Sequence, residues 1–200
     1  MSIGLWVRGA RPKTLVTSIA SVMVGAVMAY VHIERSGTCI AIYPEPASCA
    51  TAREQQTLLM DRFWPVTILC LLVALFLQIA VNYANDYSDG IRGTDAGRDM
   101  DESKSGKPQR LTASGLVPAK HVLFAAMICA AIACICGVVA VVLAQAWWLL
   151  AVGAASLLAG WFYTGGKHPY GYVGLGEVGV FLFFGLAAVF GTEYALCGTV

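Results

Sequence analysis

Four side chains that carry oxygen donors close one apolar run of this sequence: Asn82, Asn85, Asp86 and Asp89, within Asn82-Tyr-Ala-Asn85-Asp86-Tyr-Ser-Asp89-Gly-Ile-Arg92-Gly-Thr-Asp95. If the helix that opens near Pro65 continues through them at about 100° per residue, all four fall within about a 100° arc of one face. Two carboxylates on one face at the mouth of a membrane repel each other unless a cation sits between them. Carboxylate and amide oxygens suit a hard ion such as Mg²⁺, which keeps part of its water and commonly bridges to a substrate phosphate. The competing reading is a solvated acidic loop that merely follows the helix.

Other residues at the same level could meet an anion. Arg11, in Arg11-Pro12-Lys13-Thr14, opens the first long apolar run, and Arg110, in Arg110-Leu-Thr-Ala-Ser114-Gly115, leads into the third. An arginine can clamp a phosphate bidentately, while the bland reading of Arg11 is an ordinary interfacial anchor. Lys167 follows Tyr163 by four residues in Tyr163-Thr-Gly-Gly-Lys167-His-Pro-Tyr170-Gly-Tyr172. Interfacial aromatics account for the Trp and Tyr residues here but not for the lysine. Glu177, a few residues into the last apolar run, reads as a carboxylate inside the membrane, a costly placement that suggests function.

The elements that must position these groups are helices in a membrane. The chain has 200 residues, 58% hydrophobic and 12% charged, with net charge +1. Its mean hydropathy is +0.70, and the charged fraction is about half that of an ordinary soluble domain. Apolar runs at residues 14–33, 64–84, 122–144, 147–164 and 172–191 approach the roughly 20 residues needed to cross the hydrocarbon core. They lack the short alternation of a membrane barrel, so helices are the expected form. The expected fold is an all-α, multi-pass bundle forming one membrane domain over residues 1–200.

With the N-terminus inside, 10 Lys and Arg residues fall on inner segments against 3 on outer ones. This predicts a cytoplasmic N-terminus and a cytoplasmic Asp-rich loop over residues 85–119 in the cell's plasma (inner) membrane. Residues 34–62, with Pro44 and Pro46, read as an extracytoplasmic loop. The basic head and first run resemble a signal peptide, but the run is too long and no A-x-A-like site follows, so a retained helix is expected. Of seven cysteines, Cys70, Cys129, Cys134 and Cys136 read as small packing residues. A Cys39–Cys49 disulfide in the outer loop is an open alternative. His32, His121 and His168 lack the spacing of a zinc site. No Walker loop, G-x-G-x-x-G or serine elbow is present, and nothing calls for nucleic acid as a partner.

Acids with Mg²⁺, cationic side chains and an apolar bundle together suit a diphosphate on a long lipid tail. An allylic carbon left behind would be cation-like. Tyr83, Tyr87 or Tyr163 could stabilise it, and a dry cavity would exclude water.

These residues resemble the UbiA-type intramembrane aromatic prenyltransferases. Asn85-Asp86-x-x-Asp89 with Gly93-x-Asp95 is similar to their first aspartate-rich motif, and Tyr163-x-x-x-Lys167 to a second signature. Arg11-Pro-Lys-Thr-Leu and Pro169-Tyr-Gly-Tyr-Val-Gly-Leu-Gly-Glu177, followed by Phe181-Leu-Phe-Phe-Gly185, resemble the branch that prenylates 1,4-dihydroxy-2-naphthoate in menaquinone synthesis. The resemblance spans nearly the whole chain apart from residues 34–62 and 99–107. It implies transfer of a polyprenyl group from its diphosphate to the naphthoate, with loss of CO₂ and diphosphate, to give demethylmenaquinone. By the same resemblance, Asp86, Asp89 and Asp95 would hold Mg²⁺, with Asn82 and Asn85 on the ion or its water. Arg110 and Lys167 would touch diphosphate or the acidic acceptor, and Arg11, Tyr163 and Glu177 would line the cavity.

The family has about nine helices and a second aspartate-rich motif, and this sequence offers five runs and one motif. The expectation is an N-terminal part of such an enzyme, inactive alone. Two rivals remain. The Asp86-x-x-Asp89-Gly90 segment opens like a CDP-alcohol phosphatidyltransferase motif, but Gly93-Thr94 stands where that family has Ala-Arg. A small transporter or scaffold with an incidental acidic loop is the non-catalytic alternative.

Overall fold

The computed structural model describes residues 3–36, 46–93 and 110–198. Six helices account for most of it: α1 (Ile3–Gly9), α2 (Pro12–Ser36), α3 (Pro46–Arg92), α4 (Ala119–Ala144), α5 (Leu149–Thr164) and α6 (Gly176–Cys197). There is no strand among the described residues. The helices α2, α3, α4 and α6 are long and apolar enough to cross a membrane, and α5 is a shorter apolar helix. The molecule is thus an all-α, multi-pass membrane bundle. Large side chains such as Val27, Phe124, Ile135 and Phe181 stand exposed on its outside, as expected of a surface solvated by lipid.

The five apolar runs all appear as helices, but the second is corrected at its start. Proline removes a backbone donor, which argues for a helix beginning near Pro65; instead α3 runs straight through it for 47 residues. At 1.5 Å per residue this is about 70 Å, more than twice a hydrocarbon core. Residues 46–62 are therefore helical rather than an irregular loop. They are rich in Ala, Glu, Gln, Leu and Met, which are strong helix formers. Cys39, the side chain of Cys49, and residues 94–109 with Asp95 lie outside the described part, as does the disulfide question.

Two apolar clusters hold the bundle at opposite ends of α3. One joins Ala29 and Ile33 of α2, Phe63 and Val66 of α3, and Ala195 and Leu196 of α6. A Cβ added at Gly25 would run into the Val189 carbonyl oxygen and lie 3.0 Å from Thr192 Cβ, so glycine permits α2 and α6 to approach this closely. The other cluster joins Ala10, Tyr83, Leu111, Val117, Val122 and Ala126. Here α1 docks through Trp6, whose ring meets Tyr83 edge-on at 5.7 Å and whose carbonyl accepts the Tyr83 hydroxyl at 2.8 Å.

Gln145, in the left-handed region at φ 55°, turns α4 back toward α5. Arg62 Nη1 donates to the last carbonyls of α4, Leu143 and Ala144, both at 3.4 Å. Such a cation at a helix C-terminus complements the exposed carbonyls. Helix α6 is not uniform: Phe181–Ala187 form a π-helical stretch between α-helical ends. Wide turns of this kind recur beside functional sites, and this one contributes Phe183, Phe184 and Ala187 to a cavity.

Candidate functional site

The helix does continue through the polar stretch, to Arg92. Its four oxygen-bearing side chains fan out along the predicted arc, and each meets a different element. The Asn82 amide donates to the Ala10 carbonyl at 2.8 Å and to Thr14 Oγ1 at 2.9 Å, and its oxygen accepts Gln78 Nε2 at 3.2 Å. Asn85 Oδ1 accepts the Thr164 hydroxyl at 2.8 Å, which ties α3 to the end of α5. Asp89 accepts the hydroxyl of Tyr172, in the 3₁₀ turn Tyr170–Val173 that precedes α6.

Asp86 differs from the other three. It is 2% exposed, and its two carboxylate oxygens accept the backbone N–H groups of Leu111 and Thr112, both at 2.9 Å. Two charge-assisted bonds of this kind hold the turn that leads into α4. Gly90, one turn on, lets the same segment sit against the helix, because a Cβ there would strike Thr112. Asp86 and Asp89, read from the sequence as one pair, thus face different neighbours. Neither belongs to a group of three metal-ligating side chains among the described residues.

The cationic and aromatic candidates surround this end. Arg11 occupies the corner between α1 and α2 with φ 52°, a conformation that a non-glycine residue adopts at some cost. Its carbonyl accepts both the Thr14 backbone N–H and hydroxyl, at 2.9 Å each, and its Nη2 is buried with no hydrogen-bond partner. Arg110 is half-buried at the head of the Leu111–Thr112 turn, and Lys167 is exposed on the α5–α6 connection. Tyr163 stacks edge-on against Tyr170 at 5.5 Å. Burial, and then the neighbouring Tyr163, raise the pKa of the Tyr170 hydroxyl, so it remains a donor to the Ala159 carbonyl, at 3.0 Å. Glu177 is exposed in the first turn of α6, within a helix long and apolar enough to cross a membrane, and an acid there is favoured by the helix dipole.

Sequence reasoning missed Thr14, Thr164, Tyr172 and Arg92 as members of this end. Arg92 donates to the Gly166 carbonyl, and its guanidinium lies 5.9 Å from the Tyr172 ring centre. Thr14 and Thr164 stood inside quoted motifs, so their short hydroxyls beside Arg11 and Tyr163 were the available signal.

Below the polar end lies a cavity of about 350 Å³, lined by Val22, Leu77, Val141, Leu157 and Phe183 among others, with residues from α2 to α6. Leu77 is eight residues before Asn85 on the same helix, about 12 Å along its axis. The volume lies within the range of small-molecule pockets, and the lining is almost wholly apolar.

Comparison with known proteins bears on what such a bundle is. The family model described as "UbiA prenyltransferase family" matches residues 57–199. The chain belongs to this family. It is 40% identical over 193 residues to the 1,4-dihydroxy-2-naphthoate octaprenyltransferase of Mycobacterium leprae (strain TN), covering 96% of this chain and 54% of the relative. Identity to the protein of the same name from Mycobacterium tuberculosis (strain ATCC 25618 / H37Rv) is 42% with the same coverage. To that from Escherichia coli (strain K12) it is 30%, over 98% of this chain and 54% of the relative. The chain spans about half the length of these family members. No solved structure matches it.

Proposed function

We propose that this chain supplies the diphosphate-binding and tail-binding half of an intramembrane polyprenyltransferase whose acceptor is 1,4-dihydroxy-2-naphthoate. The observation that carries the reading is a polar end of defined chemistry set on an apolar cavity. Arg11 Nη2, buried without a partner, stands in the corner whose Ala10 carbonyl and Thr14 hydroxyl take the Asn82 amide. A buried guanidinium nitrogen without an acceptor is costly, and a diphosphate oxygen would relieve it. The tail would then lie toward Leu77 and Phe183, in an apolar lining that suits hydrocarbon. The relatives named above support the choice of donor and acceptor.

The donor chemistry fits Mg²⁺ at Asp89. Its carboxylate and the Asn85 amide oxygen are hard donors one turn apart on one face, and Mg²⁺ commonly takes one or two carboxylates and keeps water on its other positions. Asp86 fits less well, since both its oxygens already accept backbone N–H groups. When bound, the ion would neutralise the diphosphate and help it depart. The chain's own residues would do the rest: Arg11 and Lys167 bind the anion, Tyr172 orients Asp89, and Tyr163 presents a π face near the reacting end. Asp95 and Arg110 are proposed to join the diphosphate from the segment that follows α3. The cytoplasmic placement of this end and a plasma-membrane location rest on the distribution of basic residues.

The test is binding of a polyprenyl diphosphate to the chain in lipid nanodiscs, with and without Mg²⁺. Binding that needs Mg²⁺ and weakens at least tenfold in Arg11→Gln and in Asp89→Ala is expected. Binding indifferent to the metal and to both substitutions would favour the scaffold reading and overturn this one.

A further inference from the structure

The opposite end of the bundle carries a second group of titratable side chains that the prenyl-transfer reading leaves unused. His32 lies one turn from the end of α2, and Glu193 and Cys197 lie four residues apart near the end of α6. One ligand atom from each, an imidazole nitrogen, a carboxylate oxygen and a thiol sulfur, lies within 4.8 Å of the other two. No other such trio occurs among the described residues. Glu193 and Cys197 are 5% and 8% exposed, whereas His32 stands at the surface. Cys197 Sγ donates to the Glu193 carbonyl at 3.1 Å.

Independently of that grouping, Glu193 Oε2 is buried with no hydrogen-bond partner. A carboxylate oxygen in that state is expensive, by far more than a neutral polar group, unless something cationic meets it. We propose that His32, Glu193 and Cys197 bind one divalent cation of the zinc class and so clamp the ends of α2 and α6 together. The donor set decides the class. Imidazole nitrogen and thiolate sulfur select Zn²⁺ over Mg²⁺ or Ca²⁺, and one carboxylate oxygen is a regular third zinc ligand. Zinc bonds of 2.0–2.3 Å place tetrahedral donors about 3.5 Å apart, so the trio must close by about 1 Å, a rotamer adjustment.

Placement favours this too. The i, i+4 spacing puts Glu193 and Cys197 on one face of α6, and the imidazole arrives from the helix packed against it through Ile33, Ala29 and Leu196. Binding would release the Cys197 proton to solvent, leaving two anionic ligands against the 2+ charge. A fourth position is left for water. The rival is an ion pair between Glu193 and Arg62, whose Nε is also buried without a partner; that pair would satisfy both groups with no metal.

Titrating the purified chain in nanodiscs with Zn²⁺ against a chromophoric chelator, and with Co²⁺ as an optical probe, tests the site. One Zn²⁺ per chain is expected, with a thiolate-to-cobalt charge-transfer band that Cys197→Ser abolishes. His32→Ala, at an exposed position, should weaken Zn²⁺ binding at least tenfold and abolish the zinc-induced rise in the thermal midpoint. Asp89→Asn should leave Zn²⁺ uptake unchanged, which separates this site from the Mg²⁺ reading. The proposal is overturned if no stoichiometric Zn²⁺ binds, if binding survives His32→Ala and Cys197→Ser unaltered, or if Mg²⁺ competes equally.

Discussion

At the Asn82–Asp89 end of α3 an apolar cluster is joined by a set of hydrogen bonds from helix side chains to the neighbouring elements, whereas around Phe63–Val66 apolar packing against α2 and α6 predominates. The difference follows from what each end must do. Packing seals the apolar faces and leaves a ligand only a few polar side chains beside them, such as His32, Glu193 and Cys197. Side-chain hydrogen bonds can place several segments around a polar ligand while keeping charge available.

The contrast is broken or sharpened by a graded series of substitutions read by thermal unfolding in detergent. Asp86→Ala removes the acceptor of two N–H groups from the Leu111–Thr112 turn and should destabilise by about 2–4 kcal/mol, because each donor left buried and unpaired costs about 1–3. Asp86→Asn, which keeps one good acceptor, should recover about half of that loss. An unshifted midpoint in Asp86→Ala would mean that this end is not held by its hydrogen bonds.

At the packed end, Gly25→Ala should destabilise by about 2 kcal/mol through overpacking against the Val189 carbonyl. Indifference there would show that α2 and α6 can part at no cost. Thr164→Val, which removes only the donor to Asn85, should cost about 1 kcal/mol. Smallest in stability is Asp89→Asn, within about 0.5 kcal/mol because it retains an acceptor for Tyr172. Yet that same change should lower Mg²⁺-dependent diphosphate binding tenfold or more. If it unfolded the chain as readily as Asp86→Ala, the division of labour between the two acids would be wrong.

Much of the fold was legible because lipid imposes a simple rule: long apolar runs must be helices. The helical continuation through Asn82, Asn85, Asp86 and Asp89 was also legible, since their spacing makes sense only on a helix. The start of α3 was not, because the rule that proline ends helices outweighed the helix-forming residues before Pro65. The separate duties of Asp86 and Asp89 were hidden for a different reason. Periodicity gives the face a side chain leaves from, but what it meets depends on Leu111, Thr164 and Tyr172, which are 25 to 83 residues along the chain from the side chains they meet. His32, Glu193 and Cys197 escaped notice likewise, as two sequence-distant helix ends that only packing unites.

The π stretch at Phe181–Ala187 sets the rotational phase of everything after it. Such stretches hold one residue more than the α-helix they interrupt, so rewinding the same seven residues as regular α-helix, with none removed, would swing residues 188–197 by about 100° around the axis. Val189 would leave Gly25, and Glu193 and Cys197 would turn from α2 toward lipid. A seven-residue irregularity thus acts as the gear that keeps the last helix meshed with the first long one.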